Sequence, residues 1–109
     1  MKVVNRIKDG QEFQDVINTG KYLKLNSIRL YYKQNQLGYA RVGLSVPTKI
    51  GHAVTRNKIR RQIRAILHDS LDLSLSYDFI FIARMSYETE KFSEVKETIV
   101  KLLEKVGQN

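Results

Sequence analysis

The sequence predicts a small α+β fold, with one sheet packed by helices and the element order α-β-β-β-α-β-α. Three observations carry this. Residues 28–33 and 39–46 alternate apolar and polar side chains, as strands with one buried face do. Residues 52–68 repeat their aliphatic side chains at helical spacing. Residues 77–84 form a nearly continuous apolar run, followed by a second helical pattern. Strand, helix and strand in succession make a β-α-β unit.

Each element has its local reason. Residues 1–8 read as a basic, mostly extended arm. Asp9 is the expected N-cap of a helix to about Asn18, with Glu12 at the third position completing a capping box and Gly20 ending it. Phe13, Val16 and Ile17 form its apolar stripe. Val16 reads as core, whereas Phe13 and Ile17 are either core or the border of a groove. Tyr22–Lys24 reads as a short strand. In the next strand Ile28, Leu30 and Tyr32 share one face and Arg29, Tyr31 and Lys33 the other. After a polar turn, Ala40, Val42, Leu44 and Val46 oppose Tyr39, Arg41, Gly43 and Ser45. The expectation is a hairpin with one aliphatic face and one bearing Arg29, Tyr31, Lys33 and Arg41. Tyrosine among cations suits single-stranded nucleic acid, because bases stack on rings while cations follow phosphates. An ordinary solvated sheet face would carry the same residues.

Pro47 ends that strand by removing a backbone donor. Lys49-Ile50-Gly51 is a basic turn leading into a helix from about His52 to His68. Ile59, Ile63, Ile66 and Leu67 form its buried stripe. Arg56, Arg60 and Arg64 recur at i, i+4 and i+8, with Asn57 and Arg61 beside them. Like charges at this spacing destabilise a helix by about 0.2–0.5 kcal/mol per pair, so an anionic partner is expected. Tyr77–Arg84 reads as an inner strand. A last helix is expected from about Thr89 to Val106, with Phe92, Val95, Ile99, Leu102, Leu103 and Val106 on its apolar face.

Charge distribution narrows the function. The net charge is +8, and residues 1–68 hold 14 Lys or Arg against 3 Asp or Glu, while residues 69–109 hold 5 against 8. No acid falls between Asp15 and Asp69. A span like that points to a polyanion, most simply nucleic acid. The length of 109 residues fits one domain, residues 1–109, with no internal repeat. There is no cysteine, which excludes disulfides, zinc–thiolate sites and thiol nucleophiles. No run is long enough to span a bilayer, and the N-terminus lacks the apolar segment of a signal peptide. A cytoplasmic location and no membrane partner are therefore expected.

Catalytic chemistry is not visible in the chain. His52 and His68 lie at opposite ends of one helix and cannot share a metal. Ser45 lacks the glycine pattern of a nucleophile elbow, no Gly-rich phosphate loop is present, and no carboxylates cluster as in a two-metal nuclease. The expectation is no catalytic residue, no protein-bound metal and no protein-bound cofactor.

The motif Arg56-Asn57-Lys58-Ile59-Arg60-Arg61-Gln62-Ile63-Arg64 resembles the signature "RNR" helix of the protein subunit of bacterial ribonuclease P. The preceding Arg41–Val46 and Lys49–Val54 fit that family, as do the upstream Phe13, Val16 and Gly20 and the downstream Asp78–Arg84. The likeness covers nearly the whole chain in order. It implies an α+β two-layer sandwich with a small mixed sheet and a left-handed β-α-β crossover, a ribosomal-protein-S5-domain-2-like fold. The general rule for such crossovers is right-handed.

The resemblance also implies the partners: a catalytic RNA subunit and precursor tRNA, whose 5′ leader the holoenzyme removes, with DNA not expected. Magnesium would be held mainly by the RNA. Lys49, Arg56, Asn57, Lys58, Arg60, Arg61 and Arg64 would face the RNA subunit. Phe13, Tyr31 and Arg84 match positions near a cleft for the single-stranded leader, and Ile17, Arg29, Lys33 and Arg41 are assigned to the same cleft. Ile17 stands where some relatives have an aromatic, and Lys58 where many have arginine. The alternative function is a general or ribosomal RNA-binding protein without a role in cleavage. A helix-turn-helix DNA binder conflicts with strands on both sides of the basic helix, and a stand-alone nuclease with the missing carboxylate cluster.

Overall fold

The computed structural model describes residues 2–106; Met1 and residues 107–109, included in the expected domain span, lie outside the described residues. The elements are α1 (Gly10–Thr19), β1 (Lys21–Leu25), β2 (Ile28–Gln34), β3 (Arg41–Ser45), α2 (Ala53–Ser70), β4 (Tyr77–Ala83) and α3 (Phe92–Lys105). Their order is the expected one. Short 3₁₀ turns occupy Val3–Asn5, Thr48–Ile50 and Met85–Thr89.

The four strands form one mixed sheet in the order β1-β2-β4-β3. β2 pairs antiparallel with both β1 and β4, and β3 pairs parallel with β4. The expected β2–β3 hairpin does not exist, because β4 lies between the two strands. β4 is buried on both faces, Phe79 and Phe81 toward α2 and α3 and Ile80 toward α1, which suits a central place in the sheet. The β2–β3 loop opens accordingly and bonds to the segment before β4. Asn35 N–H donates to Ser76 O and Ala40 N–H to Leu73 O, each at 2.9 Å, and Ser76 Oγ donates to Asn35 Oδ1 at 2.6 Å.

The handedness of the β3-α2-β4 crossover follows from Val42. Its carbonyl accepts from Ile7 N–H at 2.9 Å, so its polar groups face the N-terminal arm, away from β4. Its side chain lies in the cluster shared with α2. For an L-residue, seen from the α2 side with β3 running upward, that places β4 to the left. The crossover is left-handed, as the resemblance implied and against the usual rule.

The sheet and the two long helices form the two main layers. Ile28, Leu30 and Tyr32 of β2, Val42 of β3 and Phe79 and Phe81 of β4 pack against Ile59, Ile63, Ile66 and Leu67 of α2 and Val95, Ile99 and Leu102 of α3. The opposite face is only partly covered. There α1 lies across β2 and β4, and Val16 forms a second cluster with Ile7 and Ile80. The arm is therefore not free. Asn5 and Ile7 are buried, and Arg6 makes a parallel bridge to Val42 on the outer edge of β3.

Two helix starts differ from expectation. Asp9 caps α1 by accepting from Gln11 N–H at 2.9 Å, but Glu12 pairs with Arg41 Nη2 at 2.8 Å rather than closing a capping box. α3 begins at Phe92 rather than near Thr89, because Tyr87 turns inward and is buried. The Tyr87 hydroxyl donates to Gln62 Oε1 of α2 at 2.8 Å. Burial, with Glu90 nearby, pushes this phenol up to about 12, so it remains a donor at any physiological pH.

Gly43 shows how closely α1 sits. A Cβ there would lie 2.8 Å from Phe13 Cε2 and 2.9 Å from Ile80 Cδ1. Gly43→Ala is expected to destabilise the fold by about 1–3 kcal/mol in urea unfolding. In a Phe13→Ala background the cost of Gly43→Ala should be smaller, because the ring that clashes is gone.

Candidate nucleic-acid interface

Helix α2 buries one stripe and leaves a cationic remainder. Asn57, Lys58 and Arg61 are exposed, and Arg56, Arg60 and Arg64 are half-buried. Their hydrogen bonds are few and neutral: Arg56 Nε donates to Gly51 O at 3.3 Å, and Arg60 Nη1 to Asn57 Oδ1 at 2.8 Å. Among the described residues the ion pairs involve Lys33, Arg41 and Lys101, so no cation of α2 has a carboxylate partner. The first turn of α2 also holds no acid. Its exposed N–H groups and positive dipole end thus add to the cations rather than oppose them. Lys49, in the turn just before, is exposed at the same end. Arg64 is shifted toward deprotonation by burial first, then by the charges of Arg6 and Arg60. The result is a cationic surface whose internal repulsion an anion would relieve.

The second set lies on the α1 side of the sheet, and the register sorts it into rows. Tyr22, Tyr31, Ile80 and Gly43 form one row, Lys24, Arg29, Ile82 and Ser45 the next, and Lys33, Asp78 and Arg41 a third. α1 separates them. On one side, half-buried Phe13 and Ile17 pack with Tyr31 and Ile82. The Tyr22 and Tyr31 rings lie 5.0 Å apart there. Arg29 Nε is buried with no hydrogen-bond partner among the described residues. Arg84, just past the end of β4, turns its Nη1 to Asn26 O, donating at 3.1 Å. Apolar side chains, two tyrosine rings and the Arg29 guanidinium thus share this part of the sheet face.

Lys33 and Arg41, expected in the same cleft, lie on the other side of α1. Lys33 Nζ pairs with Asp15 Oδ2 at 2.8 Å. Arg41 makes a two-pronged contact to Asp78 at 2.9 and 2.7 Å and also reaches Glu12. The Asp78 hydrogen bond raises the Arg41 guanidinium above its ordinary range, so it is permanently charged. Both side chains clamp α1 to the sheet. Sequence reasoning missed Asp78 as the partner of Arg41, and it missed Arg6 beside Arg64. Neither pair is close in the chain, so no spacing pattern signals it.

Comparison with known proteins decides the family. A family model described as ribonuclease P matches residues 1–107. The chain belongs to the ribonuclease P protein family. It is 38% identical over 105 residues to the ribonuclease P protein component of Mesoplasma florum, covering 94% of this chain and 96% of that relative. Against the protein component of Mycoplasma mycoides subsp. mycoides it is 38% identical over 108 residues, covering 97% and 99%. The fold matches the RNase P protein of Staphylococcus aureus with a TM-score of 0.85 and 30% identity, covering 94% of this chain and 95% of that one. It matches the protein from Thermotoga maritima with 0.82 and 26%, covering 93% and 96%. Membership implies an RNA partner within an endoribonuclease holoenzyme that processes tRNA. No helix among the described residues is long and apolar enough to cross a membrane.

The Arg41–Asp78 pair predicts a stability effect separate from RNA binding. Asp78→Ala removes the acceptor of Arg41 and of Asn35 Nδ2. It should cost about 3 kcal/mol in chemical unfolding, at the low end for a buried pair because Glu12 remains.

Proposed function

We propose that this chain is the protein subunit of a ribonuclease P holoenzyme that binds the catalytic RNA through α2 and the 5′ leader of precursor tRNA through the α1–sheet cleft. The observation that carries the reading is the surface of α2 and Lys49, whose cations have no carboxylate partner among the described residues. Each phosphate such a surface neutralises releases counterions, which supplies affinity and makes it salt-dependent. Arg56, Arg60, Arg61 and Arg64 offer planar forks for phosphate oxygens, while Lys58 and Lys49 act as point charges. In the cleft a leader base stacks on Tyr31 beside Phe13, with Arg29 and Arg84 toward the backbone. Ile17 contributes apolar contact rather than stacking.

In this reading hydrolysis belongs to the RNA and its magnesium, and the complex works in the cytoplasm. Among the described residues no group of three or more His, Cys, Asp or Glu could hold a metal ion. The protein positions the leader and screens phosphate repulsion between the two RNAs. That lowers the metal requirement without adding a nucleophile.

The test is cleavage of a precursor tRNA at low magnesium with and without a bacterial ribonuclease P RNA. Cleavage at the mature 5′ end only with both components is expected; cleavage by protein alone, or no stimulation of the RNA, overturns the proposal. Arg61→Ala should weaken RNA-subunit binding by roughly 1–2 kcal/mol, about five- to thirtyfold in Kd. Tyr31→Ala should weaken precursor binding by about 1–3 kcal/mol and leave mature tRNA unaffected. Equal losses for both tRNAs would remove the leader cleft.

A further inference from the structure

The N-terminal arm is docked in a way that a solvated tail is not. Asn5 Nδ2 donates to Ala40 O at 2.7 Å, and Ile7 N–H donates to Val42 O at 2.9 Å. Asn5 and Ile7 are both buried, at 5% and 8% exposure, while Arg6 between them is exposed. Residues paired in a ladder project to the same face of a sheet. Arg6 pairs with Val42, and Val42 packs on the α2 side. Ile7 projects to the other side, into the Val16–Ile80 cluster. Arg6 is thereby carried to the flank of α2, where its charge acts on Arg64 together with that of Arg60. Among the described residues none of the three has an ion-pair partner. A mobile arm would let Arg6 swing away from this repulsion, whereas hydrogen bonds on both sides of it hold it there.

We infer that Arg6, Arg60 and Arg64 form one phosphate-binding triad, and that the docked arm extends the RNA-subunit surface from α2 past the outer edge of β3. This rests on the reading of α2 as the RNA-subunit-binding helix. The ligand is a backbone phosphate of that RNA, held by guanidinium groups from two elements far apart in the chain. Asn5 is a positioning residue: it anchors the arm and touches no phosphate itself.

The experiment measures the Kd of the full chain for a ribonuclease P RNA transcript between about 50 and 200 mM salt. Arg6→Ala should reduce the slope of log K against log salt by about 0.7–0.9 and weaken binding several-fold at the low-salt end, with an unchanged thermal melt. Arg6→Lys should keep the slope. Asn5→Ala should lose part of it, although its own side chain carries no charge. Arg6→Ala combined with Arg64→Ala should lose less than the product of the single losses, because both reach one phosphate. An unchanged slope and Kd for Arg6→Ala, while Arg61→Ala still weakens binding, overturns the triad and leaves the proposed function standing. Strictly multiplicative losses for Arg6 and Arg64 overturn the shared site. If Arg6→Ala and Arg61→Ala both leave binding unchanged, the triad falls together with the reading of α2.

Discussion

The hydrogen bonding of β4 on both edges is the constraint on which the rest of the molecule depends. It pairs antiparallel with β2 and parallel with β3. The parallel pairing requires a crossover, and α2 is that crossover. The buried stripe of α2 packs in one cluster with Phe79 and Phe81, and Arg64 on its remaining surface feels the charge of Arg6 on the arm beside β3. On the opposite face, β4 supplies Ile80 as a seat for α1 and Asp78 as the anchor of Arg41. Moving β4 out of the middle would take Ile80 and Asp78 from beneath α1 and remove the strand that α2 leads into.

Charge placement follows a second rule. The only acids in the first 68 residues are Asp9, Glu12 and Asp15. All three are engaged locally: Asp9 caps α1, Glu12 reaches Arg41, and Asp15 reaches Lys33. Nothing acidic from this half is left over to neutralise α2. The basic half therefore contains two kinds of cation. Lys33 and Arg41 hold a helix in place, while those of α2 are exposed or half-buried and have no anionic partner among the described residues. Net charge alone does not distinguish them, because the distinction is made by neighbours across the fold.

The two sheet faces divide labour in the same way. One is filled by α2 and α3 and is core. The other is covered by α1 across β2 and β4, which leaves Phe13, Ile17 and Tyr31 half-buried, with Arg29 one row further along the sheet. Partial cover leaves the rings accessible. Full cover would bury the rings, and no cover would leave them without a wall.

The sequence by itself determined whatever depends on residues a few positions apart. Strand faces such as Leu30 against Tyr31, the Asp9 cap, the Gly20 stop, the buried stripe of α2 and the acid-free basic segment were all legible, because periods of two and 3.6 report which side of an element is buried. The family signature in α2 is likewise a continuous run. The tertiary structure decided what those periods do not encode, namely which edges pair and which charges meet. The sheet order placed β4 between β2 and β3 instead of a hairpin. The contact between Arg41 and Asp78 across 37 residues and the repulsion between Arg6 on the arm and Arg64 on α2 sorted the cations into clamps and groups with no carboxylate partner among the described residues. Alternation reveals that a strand has a buried face but not its neighbour, since edge pairing is settled only when the whole core is packed.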